Sequence, residues 1–264
     1  MNASQQFEAG NLPEAVAAAL EAVKRAPADG GKRRFLCELL CFAGDLERAD
    51  RQLDALAQQD PAATPAVALF RQLIRAEEAR RQFFAEGRLP EFLAQPSPVL
   101  RLHLEASIHL REGRPDEAAR LLDEAERQRP KASGACDGRP FTDFRDLDDL
   151  TAPFFEVLAT VGKYYWVPVE RVESLEFHKP ARPRDLLWRR AHMVVRGGPD
   201  AEVFLPALYA GAHLEADDAL RLGRATDWTG GDGSPVRGKV QRTFLVGDES
   251  VAVLDLKEIS FTGA

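Results

Sequence analysis

Three stretches in the first half of the chain share one spacing: a glycine, a short polar turn, an alanine five residues on and a proline seventeen residues on. They run from Gly10 through Ala15 to Pro27, from Gly44 through Ala49 to Pro61, and from Gly113 through Ala118 to Pro130. The first two glycines are 34 residues apart, and the third lies 69 beyond the second, close to twice that period. Each residue type has a mechanical role. Glycine ends a helix in a left-handed backbone state that a side chain opposes. The following turn starts a second helix, and alanine lets the two helices cross closely. Proline, with no amide donor, then stops the second helix. Twelve residues after each glycine stand Ala22, Leu56 and Ala125, again small or apolar.

A period of 34 is that of the tetratricopeptide repeat. Stacked helical hairpins of this kind make a concave surface suited to holding another protein, so the spacing points to binding before catalysis. First helices are expected near Ser4–Ala9, Lys32–Phe42 and Val99–Arg111. Residues 65–86 carry Val67, Phe70, Leu73, Ile74, Phe83 and Phe84 in a helical rhythm without the full signature. They read as a degenerate hairpin interrupted by a loop from Pro90 to Pro98, which makes the array short and irregular.

After Pro130 the texture changes. The run from Lys131 to Gly138 is loop-forming, and β-branched and aromatic residues then replace helical periodicity. Strands are expected at Tyr164–Pro168, Val172–His178, Ala191–Arg196, Ala201–Pro206, Lys239–Val246 and Ser250–Ile259, with turns at Gly197–Asp200 and Gly247–Glu249. Helices are expected at Pro153–Val161, Arg182–Leu187 and near Asp217–Leu222. The chain thus reads as a tetratricopeptide-like helical domain, residues 1–132, packed on an α+β domain with a mainly antiparallel sheet, residues 137–264.

A length of 264 residues, 45% hydrophobic and 29% charged, gives each half room for a core. The net charge of −7 argues against nucleic acid as a partner, because phosphate binding concentrates basic residues on one face. No signal-like segment or long apolar run is visible, so a cytoplasmic protein without a membrane partner is expected. Cys37, Cys41 and Cys136 form no CxxC and read as core residues.

Catalytic signatures are missing: no phosphate loop, no GxGxxG, no HExxH, no GxSxG. Gly230–Ser234 reads as a surface loop, since no hydrophobic strand leads directly into it and no helix begins after it. Asp143, Asp146, Asp148 and Asp149 have the oxygen chemistry of a hard-cation site but not the spacing of an EF-hand. His178, His192 and His213 are scattered, and His103 and His109 are six apart, off a common helix face. No enzyme, metal or cofactor is expected. More specific is a set of aromatic and charged phrases: Tyr164-Tyr165-Trp166-Val167-Pro168, Arg184-Asp185-Leu186-Leu187-Trp188 and Arg224-Ala225-Thr226-Asp227-Trp228. Such residues anchor small sheets, and they also dominate interface hot spots.

Taken in order, these phrases resemble the ImpE/SciE-type (TagJ) family, accessory components of bacterial type VI secretion systems. The resemblance also rests on Asp137-Gly138 with Phe141, Val203 and Pro206 with Tyr209, Gln241-Arg242, and Leu254-Asp255-Leu256 with Ile259. Two positions depart from the usual pattern: Phe144 stands where the family has tryptophan, and Val240 where glycine often precedes Gln-Arg. The resemblance implies a non-enzymatic adaptor that binds the N-terminal helix of the small sheath subunit and is linked to the AAA+ ATPase that recycles contracted sheath. A groove between helical hairpins could take such a helix through i, i+3, i+4 and i+7 anchors. The alternative is a general tetratricopeptide scaffold or chaperone for another secretion component. Candidate partner-binding residues are Tyr164, Tyr165, Trp166, Arg184, Asp185, Trp188, Asp227, Trp228 and Arg242.

Overall fold

The glycine-to-proline spacing becomes three helical hairpins in the structure, a computed structural model that describes residues 1–262. Helices α1 (Ala3–Ala9) and α2 (Leu12–Arg25) form the first, α3 (Gly30–Phe42) and α4 (Leu46–Gln59) the second, and α6 (Pro98–Arg111) and α7 (Pro115–Gln128) the last. Gly10, Gly44 and Gly113 turn the chain between helices at φ 91°, 85° and 70°. Side chains at the starts take up orphan amides: Asn2 accepts from Gln5 N, Asp29 from Lys32 N, Asp45 from Arg48 N and Ser97 from Leu100 N. Equivalent positions of the second helices are buried, with Ala15, Ala49 and Ala118 at the crossings and Ala19, Leu53 and Leu122 one turn on.

Residues 65–86 do not form a hairpin. They belong to one continuous helix, α5 (Thr64–Glu86), of 23 residues. No glycine or proline interrupts it until Gly87 at φ 83°, and the segment that follows turns away to the sheet, where Glu91 bridges Tyr165.

Among the described residues the second half carries thirteen strands: β1 (Gly134–Cys136), β2 (Arg139–Phe141), β3 (Phe144–Asp146), β4 (Phe154–Ala159), β5 (Tyr164–Pro168), β6 (Val172–Phe177), β7 (Trp188–Val195), β8 (Asp200–Pro206), β9 (Trp228–Gly231), β10 (Ser234–Gly238), β11 (Thr243–Val246), β12 (Glu249–Ala252) and β13 (Glu258–Phe261). Eight pair in the order β2-β1-β13-β6-β7-β8-β4-β5, all antiparallel, with registers such as Trp188↔Pro206 and Leu175↔Ile259. A three-stranded sheet β12-β11-β3 and the β9-β10 hairpin complete it.

Four expectations change. Pro153–Val161 is a strand and not a helix: Phe154 through Leu158 are buried without a break, and a fully buried strand has no alternation to show its period. Ser250–Ile259 divides into β12 and β13 around a turn that buries Val253 and Leu256. Lys239–Val246 pairs as a strand only from Thr243. Arg182–Leu187 holds a single 3₁₀ turn, Pro183–Leu186, while near Asp217 a short helix α8 (Asp218–Arg221) forms. Gly230–Ser234 is the turn region of the β9-β10 hairpin.

The sheet uses both faces. Phe155, Val157, Val167 and Leu205 pack on one side with Phe244 and Phe261, whereas Phe154, Leu158, Tyr164, Trp166, Trp188 and Phe204 join the helices in one continuous core. That second face is where the two halves meet.

Candidate functional site

Helix α5 lays Glu77, Arg80 and Arg81 over the sheet, a spacing that places all three on one helix face. Opposite them, Glu156 projects from β4 between Phe154 and Leu158, and Arg242 and Asp146 arrive from the segments before β11 and at the end of β3. Arg80 donates to Glu156 through Nε at 2.9 Å and Nη2 at 3.1 Å, and to the Leu208 carbonyl at 3.0 Å. Arg242 bridges Glu156 and Asp146 and donates from Nε to the Pro206 carbonyl at 3.1 Å. The Tyr209 hydroxyl donates to Asp146 at 2.6 Å. Glu77, Arg80, Asp146, Glu156 and Arg242 are buried, and Arg81 is half-buried.

Burial alone would raise the Glu156 pKa, yet the two guanidiniums outweigh it and hold the carboxyl at about 2. Asp146 goes the other way: burial and neighbouring Asp148 raise it against Arg242. Each buried carboxylate of this network is bound to an arginine, so the arrangement fastens helix to sheet and leaves no free base or nucleophile.

The nine candidate residues divide around this seam. The Tyr164 hydroxyl donates to Glu156 and accepts from Trp166 Nε1 at 2.7 Å, and the Trp166 ring stacks on Phe154 at 3.9 Å. Trp188 donates from Nε1 to Glu77 at 3.3 Å and meets Phe70 edge-on. Arg184 lies over the Phe70 ring at 4.8 Å. With Arg242, these five are core residues. Tyr165, Asp185, Asp227 and Trp228 are half-buried. Asp185 accepts from the Ala181 and Arg182 amides at 2.9 and 3.1 Å, and Asp227 accepts from the Trp228 amide at 2.9 Å while facing Lys239 at 3.3 Å. The set therefore does not converge on one surface.

The acidic cluster is also dispersed. Asp143 pairs with Arg129 at 2.6 Å, Asp148 with Arg237 at 2.8 Å and Asp149 with Arg145 at 2.7 Å, while Asp146 belongs to the seam. His178 and His192 flank Glu202 at an exposed margin of the sheet, and His192 reaches Asp200 at 2.7 Å. Among the described residues no group of three His, Cys, Asp or Glu could hold a metal ion, and no helix is long and apolar enough to cross a membrane. The residues that organise the seam from the helical side, Glu77 and Arg80, carry no local sequence signal beyond the Arg80-Arg81 pair; Glu156 is marked only as a charge inside an apolar run.

The inner side of the first two hairpins is filled by the chain itself. Every residue from Leu36 to Phe42 is buried, Glu38 included. Asp218 accepts from the Leu12 amide at 3.1 Å, Arg224 donates to the Glu8 carbonyl at 2.8 Å, and Arg221 donates to the Ala43 carbonyl at 3.3 Å. Two open surfaces lie nearer the last hairpin and β5, besides a wider depression between the β1-β2 hairpin and the β11-β12 turn. One is a groove of about 100 Å³ between the 92–97 loop and β5, walled by Phe92, Leu93, Leu100, Trp166 and Pro168; Leu93 is 37% exposed and nearby Leu89 68%. The other is a cavity of about 230 Å³ beside the last hairpin, where His103 meets the carbonyl of Leu150.

Over 261 residues the sequence is 34% identical to a Pseudomonas aeruginosa protein named type VI secretion system accessory component TagJ, a match that takes in 99% of this chain and 91% of the relative. The chain belongs to the ImpE family. Residues 138–260 match the family described as ImpE protein, which is the sheet half from its first hairpin to β13. A crystal structure of a Vibrio parahaemolyticus protein superposes with a TM-score of 0.91 at 26% identity, covering 99% of this chain and 98% of that one. The phrases that carried the resemblance fall largely on the seam, through Tyr164, Trp166, Trp188, Tyr209 and Arg242. The family's pattern is in this respect a pattern of construction.

Proposed function

We propose that this ImpE-family chain is a non-enzymatic accessory protein of a bacterial type VI secretion system. It binds the N-terminal helix of the small sheath subunit and connects the sheath to its recycling AAA+ ATPase. The observation that carries the secretion context is the near full-length kinship with TagJ. The absence of catalysis is supported by the seam, whose buried carboxylates are all engaged by arginines.

What is already occupied supports one docking place in preference to the inner side of the first hairpins. Because segments of the sheet half fill the first two hairpins, the partner helix lies along the groove beside the 92–97 loop, with its apolar stripe on Leu89 and Leu93. Of the candidate aromatics, Trp166 contributes as the floor of this groove, while Tyr165, Asp185, Asp227 and Trp228 contribute only where they reach the surface. Residues 1–132 and 137–264 differ in architecture, yet one core cluster spans both, and they are expected to unfold together.

A pull-down of the full chain with purified sheath small subunit, with and without its first helix, tests the reading. Retention is expected only with the helix, and Leu93→Glu is expected to abolish it at an unchanged melting temperature. Equal retention of both subunit forms would overturn helix docking.

A further inference from the structure

The cavity beside the last hairpin has the construction of a small polar site. It is bounded by α6, α7, the stretch from Arg145 to Ala152 and the turn between β9 and β10, and its volume is about 230 Å³. A water occupies about 30 Å³ of liquid, so there is space for several waters or for one flexible side chain. We infer that this cavity binds an alkylammonium group, with His103 and Asp123 as acceptors and Ala119, Leu122 and Ala152 around the methylenes.

The tautomer of His103 is the first argument. The ring is 2% exposed, and its Nδ1 lies 2.8 Å from the Leu150 carbonyl oxygen. A carbonyl only accepts, so Nδ1 carries the hydrogen. Burial pushes the imidazole down to about 4, with Arg145 adding to the effect, and the ring is neutral at pH 7. Nε2 is then a lone-pair acceptor. Among the described residues Nε2 has no hydrogen-bond partner, and it keeps a small exposure where the ring lines the cavity. Its donor is then whatever enters the cavity, water or a ligand.

The charges around it choose the donor's sign. Asp123, Glu126 and Asp149 line the cavity with Arg145, and Arg129 holds Glu126 at 2.9 Å. Arg145 is already shared between Glu126 at 3.4 Å and Asp149 at 2.7 Å, while Asp123 makes no ion pair among the described residues. The surplus is negative. A metal ion does not suit the site, since no three ligating side chains converge there. A primary ammonium does: it offers three N–H donors on an apolar stem.

The same chemistry can come from a lysine side chain of a partner protein or from a free amine, and the inference does not rest on the secretion reading. The test is a titration of the full-length, histidine-¹⁵N-labelled chain at pH 7.5 with butylammonium chloride, with Nα-acetyl-lysinamide and with butanol. Both amines are expected to shift His103 Nε2 saturably, and butanol to leave it unmoved. Asp123 is exposed, so Asp123→Asn keeps the fold; it is expected to weaken amine binding about five-fold. Tighter binding of the lysine compound assigns the group to a partner's side chain, and tighter binding of butylammonium to a free amine. No saturable shift with either amine, an equal shift with butanol, or an affinity indifferent to Asp123→Asn overturns the site.

Discussion

The first two hairpins and the last share a spacing and have opposite surroundings. Around α3 the chain's own 207–224 segment and the turn before Trp188 close the inner side completely, burying even Glu38. Beside α6 the inner side keeps a cavity, and a histidine faces it. The repeat signature specifies how two helices cross. What fills the concave side is decided by segments far away in sequence. A binding surface can therefore be read from a repeat only where the rest of the molecule leaves it free.

The strongest test of this contrast cuts the seam. Glu156→Gln leaves Arg80 and Arg242 buried without their shared counter-charge, and a loss of about 3–5 kcal/mol is expected in urea unfolding. Helical ellipticity and tryptophan fluorescence should be lost in one transition. A helical half that survives the melting of the sheet would show that the filled hairpins do not depend on their filling.

A smaller effect compares the two turns directly. Gly113→Ala places a side chain at φ 70° in open space, and the left-handed backbone costs about 1–2 kcal/mol. At Gly44, φ 85°, the new Cβ would also lie 2.7 Å from the His213 ring, adding about 1–3 kcal/mol of overpacking. Thermal denaturation of both variants checks the order, and equal losses would mean that the filling segment yields easily.

The smallest effect is in pH. Burial lowers both His103, in the open hairpin, and His213, in the filling segment, to about 4 from an ordinary 6.5. The folded state refuses protons that the unfolded chain accepts, so each histidine's contribution is complete above pH 6.5 and is lost as pH falls toward 4. Between pH 7 and 6 the loss from His103 is under about 1 kcal/mol. Melting curves of His103→Asn and His213→Asn should each fall less steeply with acid than the parent; a parent whose stability is flat over this range would contradict both assignments.

Legibility follows the range of the signal. The second helices are set by glycine, alanine and proline within seventeen residues, and α2, α4 and α7 lie where the spacing places them. Strands with one wetter face, such as β6 and β7, show in their alternation. β4 does not, because the helices cover one of its faces and the small sheet the other. β1, β2 and β3 are three residues each and exist through their partners, which no local window contains. The seam was hidden for the same reason: Arg80 and Glu156 are 76 residues apart, and only the packing of α5 on β4 joins them. The tryptophan phrases were visible, but an indole that anchors a core and one that anchors a partner have the same letters around them. His103 gave no signal because its meaning lies in Leu150 and in the space beside it.

The eight-stranded sheet ends in proline on both sides. On β2 the central residue is Pro140; on β5 the outer edge already exchanges hydrogen bonds with Glu91, at 2.8 and 3.1 Å, and the strand closes on Pro168. Neither edge can offer a full ladder of amides to a neighbouring copy. Growth strand by strand through the large sheet is thereby hindered at both of its ends.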